Sequence, residues 1–84
     1  MSARDRHCVA RAFGIVLRTA RQGASFSQED LAHEAGIDRT YPSLLERGLR
    51  QPTLAVVVSL AAALGIEPTI LVQMTVARLR TESL

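Results

Sequence analysis

Val9, Ala12, Phe13, Val16, Leu17 and Ala20 recur at i, i+3, i+4, i+7, i+8 and i+11, one clean helical stripe, and predict a first helix over about residues 4–22. Gly23, Ala24 and Ser25 form its exit, and Phe26 sits where a hydrophobic staple precedes a cap. Ser27 is a good N-cap, followed by Gln-Glu-Asp in the first turn of a second helix over about 28–35, with Leu31, Ala32 and Ala35 on its apolar face. Gly36 is suited to the left-handed stop, Ile37 anchors the turn, and Asp38 caps a third helix over about 39–47 that ends at Gly48. Arg50-Gln51-Pro52 is a loop, and Thr53 caps a fourth segment, LAVVVSLAAAL. Its three valines favour strand, but its length, its Ala/Leu second half and the stop at Gly65 predict a helix over about 54–64. Pro68 suits the first position of a fifth helix reaching about Arg80, with residues 81–84 expected to fray. The expectation is one all-α, five-helix domain over residues 1–84.

Two of these helices are apolar on more than one side. Leu54, Val57, Val58, Ala61 and Leu64 are expected to form the core face of the fourth helix, which leaves Ala55, Val56, Leu60 and Ala63 to be covered otherwise. On the fifth helix, Ile70, Leu71, Met74 and Ala77 make one stripe, and Val72, Val76 and Leu79 a second. One stripe can dock on the domain; a second left in water is an association site. A homodimer through the fifth helix, with help from the fourth, is therefore expected, with Val56, Leu60, Val72, Val76 and Leu79 at the contact. The alternative is that one compact monomer buries both stripes.

The second and third helices, joined by a short glycine-containing turn, have the layout of a DNA-binding helix-turn-helix, whose second helix enters the major groove. On the wheel of the third helix, Arg39, Thr40, Ser43, Leu44 and Arg47 share an arc of about 140°, and Tyr41, Pro42 and Leu45 lie opposite. Arg39 can bond O6 and N7 of guanine, Thr40 and Ser43 can reach bases or phosphates, and Leu44 suits a thymine methyl or is a surface leucine without a role. Gln28 opens the second helix, where backbone N–H groups and the dipole favour a phosphate; its side chain can bond that phosphate or brace a recognition residue. Arg47 and Arg50 are expected to hold the backbone without reading sequence, and Arg11 and Arg18 are secondary candidates. Arg21 and Glu46 are each a charge flanked by core positions near a helix end; a bidentate pair between them would tie the first helix to the third.

Charge adds to this picture through its distribution. All ten basic residues are arginine, and the net charge is only +2. Arginines crowd the first helix and the region from Arg39 to Arg50, while Glu29, Asp30 and Glu34 make the second helix acidic. Such segregation suits nucleic acid, although a solvated mixed surface produces it too. Cys8 is the only cysteine, which excludes an internal disulfide and argues against a cysteine-based metal site. No secretory signal or membrane-length apolar run is visible, so a cytoplasmic protein without membrane partners is expected. No cofactor is expected. His7 and His33 are isolated and Cys8 has no base at fixed spacing, which speaks against an enzyme.

Residues 13–66 resemble the XRE, or Cro/CI-type, helix-turn-helix domain of lambda-repressor-like regulators. The resemblance rests on Leu17-Arg18-x-x-Arg21, Ser27-Gln28-x-x-Leu31-Ala32, Ala35-Gly36-Ile37, Ser43-x-x-Glu46-Arg47-Gly48, Pro52-Thr53-Leu54 and Ala63-Leu64-Gly65. It implies a compact five-helix fold binding double-stranded DNA, usually as a two-fold dimer on a palindromic site. It also implies Gln28, Arg39, Thr40 and Ser43 as DNA contacts and Arg21–Glu46 as an internal brace. Two positions depart from the pattern. Pro42 replaces a branched apolar residue, so the first turn of the third helix is expected to be loose, or the helix to begin at Pro42. Leu44 stands where a polar residue is common. The chain has no obvious second domain to sense a small molecule. It resembles short stand-alone regulators, among them restriction–modification controller proteins and some antitoxins. The expected function is a sequence-specific transcriptional regulator; the alternative is an antitoxin or other module whose main partner is a protein.

Overall fold

The computed structural model describes residues 1–82, and all regular structure among them is helical: α1 (Ala3–Gly23), α2 (Gln28–Ala35), α3 (Tyr41–Glu46), α4 (Leu54–Leu64) and α5 (Pro68–Glu82). Capping explains three of the starts. Ser2 and Asp5 form a capping box at α1, Ser27 and Asp30 repeat it at α2, and the Thr53 hydroxyl accepts from the Val56 N–H at 3.1 Å to open α4. Gly36 ends α2 with φ of 68°, a left-handed conformation that costs a residue without Cβ little.

The core is built by one face from each helix: Phe13, Val16 and Leu17 of α1, Leu31 of α2, Leu45 of α3, Val57, Leu60 and Ala61 of α4, and Leu71 of α5. Phe26 packs against this cluster from the α1–α2 connection. α1 lies along α5 and touches α3, while α2 packs on α4 and α3. The close approach of α1 to α3 is made at Gly14: a Cβ there would stand 2.7 Å from the Glu46 carbonyl oxygen and closer still to that of Leu45. A glycine inside an otherwise good helix is thus explained by backbone contact.

α4 corrects the expected core face. Val57, Leu60 and Ala61 are buried and Leu64 half-buried, whereas Leu54 is 79% exposed and Val58 is exposed as well. Leu60, expected at a dimer contact, is a core residue with no accessible surface in the single chain. With Ser59 as its single polar residue, α4 has no polar face to orient it, so its rotation is set by neighbours and not by its own pattern. α5 docks by a narrower strip than either expected stripe. Leu71 and Thr75 are buried, with the Thr75 hydroxyl donating to the Leu71 carbonyl at 2.8 Å. Val72 and Val76 on one flank and Ile70, Met74 and Ala77 on the other stay exposed, with Leu79 half-buried. α5 also continues past Arg80 through Thr81 and Glu82, whose carboxylate meets Arg78 at 3.3 Å across one turn; residues 83 and 84 of the expected frayed tail lie outside the described residues.

Candidate nucleic-acid interface

The third helix is shorter than its pattern predicts, because its first turn is built differently. Asp38 does not cap α3 directly. Its carboxylate accepts from the Thr40 N–H at 2.8 Å and from the Thr40 hydroxyl, and its carbonyl accepts from the Tyr41 N–H at 3.0 Å. Residues 38–40 are therefore a turn stapled by one aspartate, and the helix starts at Tyr41, one residue before Pro42. Pro42 occupies the second helical position, where no intrahelical bond is lost, and its ring is fully buried. The first helical bond, from the Leu44 N–H to the Thr40 carbonyl, is long at 3.4 Å.

This geometry places Arg39 and Thr40 in the turn, both exposed, ahead of Ser43 and Leu44, which are half-buried on α3. Arg47 follows as the C-cap residue, exposed, with its Nε donating to the Ser43 carbonyl at 3.3 Å. Tyr41 is half-buried and Pro42 and Leu45 are buried on the other side. Arg39, Thr40, Ser43, Leu44 and Arg47 thus follow one another along α3 and its ends. Arg50 lies beyond in the α3–α4 loop, exposed. Arg11 packs its stem over Gly48 in the same region, and Arg18 is exposed on α1.

Behind this face lies a buried polar brace. Glu46 accepts from Arg21 Nε at 2.6 Å and Nη2 at 3.0 Å, a bidentate pair with side chains only 4% and 12% exposed respectively. Arg21 Nη1 also donates to the Phe26 carbonyl at 2.8 Å, and Gln28 Nε2 donates to Glu46 at 3.2 Å. α1, the α1–α2 connection, α2 and α3 are thereby tied to one carboxylate. Hydrogen bonding to Glu46 raises the Arg21 guanidinium above its ordinary value, so it stays charged throughout the accessible range. The half-buried Gln28 amide faces this brace, where the sequence left it between a phosphate and a recognition residue.

One contact at the face carries no signal in the sequence: Glu29 of α2 meets Arg39 Nη1 at 3.9 Å across the turn. Nothing in the spacing announces it, because it depends on the angle between α2 and the turn. Elsewhere, His33 is exposed and Cys8 half-buried, and no group of three His, Cys, Asp or Glu among the described residues could hold a metal ion.

A helix-turn-helix family model matches residues 17–71, spanning the brace, the turn and α3. The chain belongs to the XRE-type helix-turn-helix family. Among XRE-type relatives, it is 41% identical over 64 residues to control protein C.BamHI of Bacillus amyloliquefaciens, covering 75% of this chain and 79% of that one. The structure of the restriction–modification controller protein C.AhdI of Aeromonas hydrophila is similar with a TM-score of 0.72 at 44% identity, covering 74% of this chain and 94% of that one. Controller protein C.Esp1396I, solved as a tetramer with its natural 35 base-pair operator, is similar with a TM-score of 0.76 at 25% identity over 84% of this chain and 93% of that one. The chain spans 47% and 41% of two longer curated relatives, a Neisseria meningitidis hypothetical transcription factor and a Mycobacterium tuberculosis helix-turn-helix regulator. The lambda-repressor-like, five-helix XRE fold is thus common to this chain and its controller-protein neighbours.

Proposed function

We propose that this chain is a sequence-specific DNA-binding transcriptional regulator that acts as a homodimer on a two-fold symmetric operator. The observation that carries the reading is the two-sided third helix. Arg39 and Thr40 in the turn before α3 and Arg47 at its end are exposed, Ser43 is half-buried between them, Pro42 and Leu45 are buried on the other side, and the Arg21–Glu46–Gln28 brace holds α3 against α2. Arg39 reads guanine through O6 and N7, Leu44 meets a thymine methyl, and Ser43 bonds a base edge or phosphate. The Thr40 hydroxyl donates to Asp38 and keeps its lone pairs for an incoming donor. Arg47, Arg50 and the N-terminus of α2 at Gln28 position the backbone. The controller-protein relatives, one of them solved on its operator, support this reading.

The dimer forms through α5. Val72 and Val76 are exposed beside a groove of about 340 Å³ that Phe13, Val57, Thr75 and Leu79 also line, and a second copy of α5 fills it. Val56, expected at this contact, instead packs half-buried against the core of its own chain. Acting on double-stranded DNA, the protein works in the cytoplasm, by binding and not by catalysis.

Selection from random duplex DNA tests the reading, with two half-sites about 34 Å apart as the expected product. Arg39→Ala is expected to cost about 1–3 kcal/mol on the selected site and to relax one base pair in each half, whereas Arg47→Ala weakens all duplexes alike. Recovery of no preferred duplex, or equal losses on selected and random DNA for Arg39→Ala, overturns the base-reading assignment.

A further inference from the structure

We propose that Glu29 is a specificity-determining positioning residue: its carboxylate keeps the Arg39 guanidinium aimed at base edges and away from phosphates, which widens the gap between operator and random-duplex affinity. The proposal rests on the DNA-reading function above. Glu29 Oε1 stands 3.9 Å from Arg39 Nη1, with the two side chains 74% and 77% exposed. An ion pair so exposed contributes little to stability. Its place matters more. The pair lines a shallow hollow together with Ala32, His33 and Ile37, and Arg39 belongs to the turn that leads into α3. Helix capping does not require Glu29 there, because the capping box of α2 is made by Ser27 and Asp30.

The chemistry of the guanidinium makes the carboxylate discriminating. Arginine has five N–H donors in a planar fork, and a guanine edge takes two of them through neutral acceptors, leaving others for Glu29. A phosphate competes for the same cation with a formal charge of its own, which lies against the Glu29 carboxylate and is repelled. Non-specific affinity comes almost wholly from phosphate contacts. A carboxylate beside the base-reading arginine therefore penalises the non-specific complex while leaving the guanine contact intact. This is specificity by an element acting against the wrong partner.

The test compares the selected operator with a random-sequence duplex of equal length, by fluorescence anisotropy over a range of salt. Glu29→Gln is expected to tighten the random duplex about three- to fivefold, the effect of one exposed charge interaction near 1 kcal/mol, and to change operator affinity less than about twofold. The random-duplex salt dependence should steepen by up to about 0.9 in slope, one additional phosphate contact. In an Arg39→Ala background the same substitution should move the ratio less than about twofold, an outcome that a merely structural role for Glu29 would not produce. Glu34→Gln, removing an equal charge elsewhere on α2, should leave the ratio in place. A wild-type preference that Glu29→Gln leaves intact, or an equal drop with and without Arg39, overturns this proposal alone. A wild-type chain that prefers no duplex overturns the DNA-reading function and this proposal with it.

Discussion

Glu46 is the residue on which four segments converge. Its two oxygens take the Arg21 fork and the Gln28 amide in a nearly dry site, while Arg21 reaches on to the Phe26 carbonyl. Removing the carboxylate leaves a guanidinium buried without its counter-charge. Glu46→Ala is expected to cost about 3–5 kcal/mol in urea unfolding, and an apolar replacement of both partners, Arg21→Met with Glu46→Leu, to cost much less than the single change. A single-variant loss near zero would mean that water relieves the orphaned arginine. The Arg21–Glu46 pair was legible in the sequence, because a charge between core positions near a helix end needs a partner. The Gln28–Glu46 and Glu29–Arg39 contacts were not legible, since they depend on the angle at which the α2–α3 turn sets its helices.

At the scale of the element, helix starts hold the pH response. The Asp5 carboxyl is kept below the usual range by hydrogen bonds from the Ser2 side chain and backbone, Asp30 by those from the Ser27 backbone and hydroxyl, and Asp38 by those from the Thr40 hydroxyl and backbone. Each depressed folded-state value means stability that is fully present above the unfolded value of about 3.9 and is lost as pH falls through the folded one. A thermal-melt series is thus expected to be flat on this account near neutrality and to fall below about pH 4. Ser27→Ala, which removes one of the bonds to Asp30, should shrink that acid-dependent loss. α4 offers a second test, because its phase was invisible in a segment whose single polar residue is Ser59. Leu60→Ala is expected to cost about 2–5 kcal/mol in chemical denaturation, and Leu54→Ser to stay within about 0.5 kcal/mol for the isolated chain. Comparable costs at the two positions would return Leu54 to the core.

For the whole molecule, the deciding feature is α5, which docks through Leu71 and Thr75 and leaves Val72 and Val76 exposed at 50% and 38%. Such a surface on so small a domain fits self-association, which also couples stability to concentration. Val72→Asp with Val76→Asp is expected to sediment as a monomer at micromolar concentration where the native chain is expected to sediment as a dimer, to keep its helical circular dichroism, and to bind the two-half-site operator at least about tenfold more weakly, as expected when avidity is lost. A variant that still dimerises would move the contact to another face. Periodicity and punctuation in the sequence alone determined the five helices, the caps at Ser27 and Thr53, the stops at Gly36 and Gly65, and the buried side of the third helix, since these follow from bonds and faces within a few residues; the cap expected at Asp38 did not hold. Tertiary structure alone decided the rotation of α4, the narrow seat of α5, the fit of Gly14 against α3 and the start of α3 at Tyr41, because each depends on surfaces supplied by other elements. A local pattern records which faces are oily; only packing chooses which of them meet.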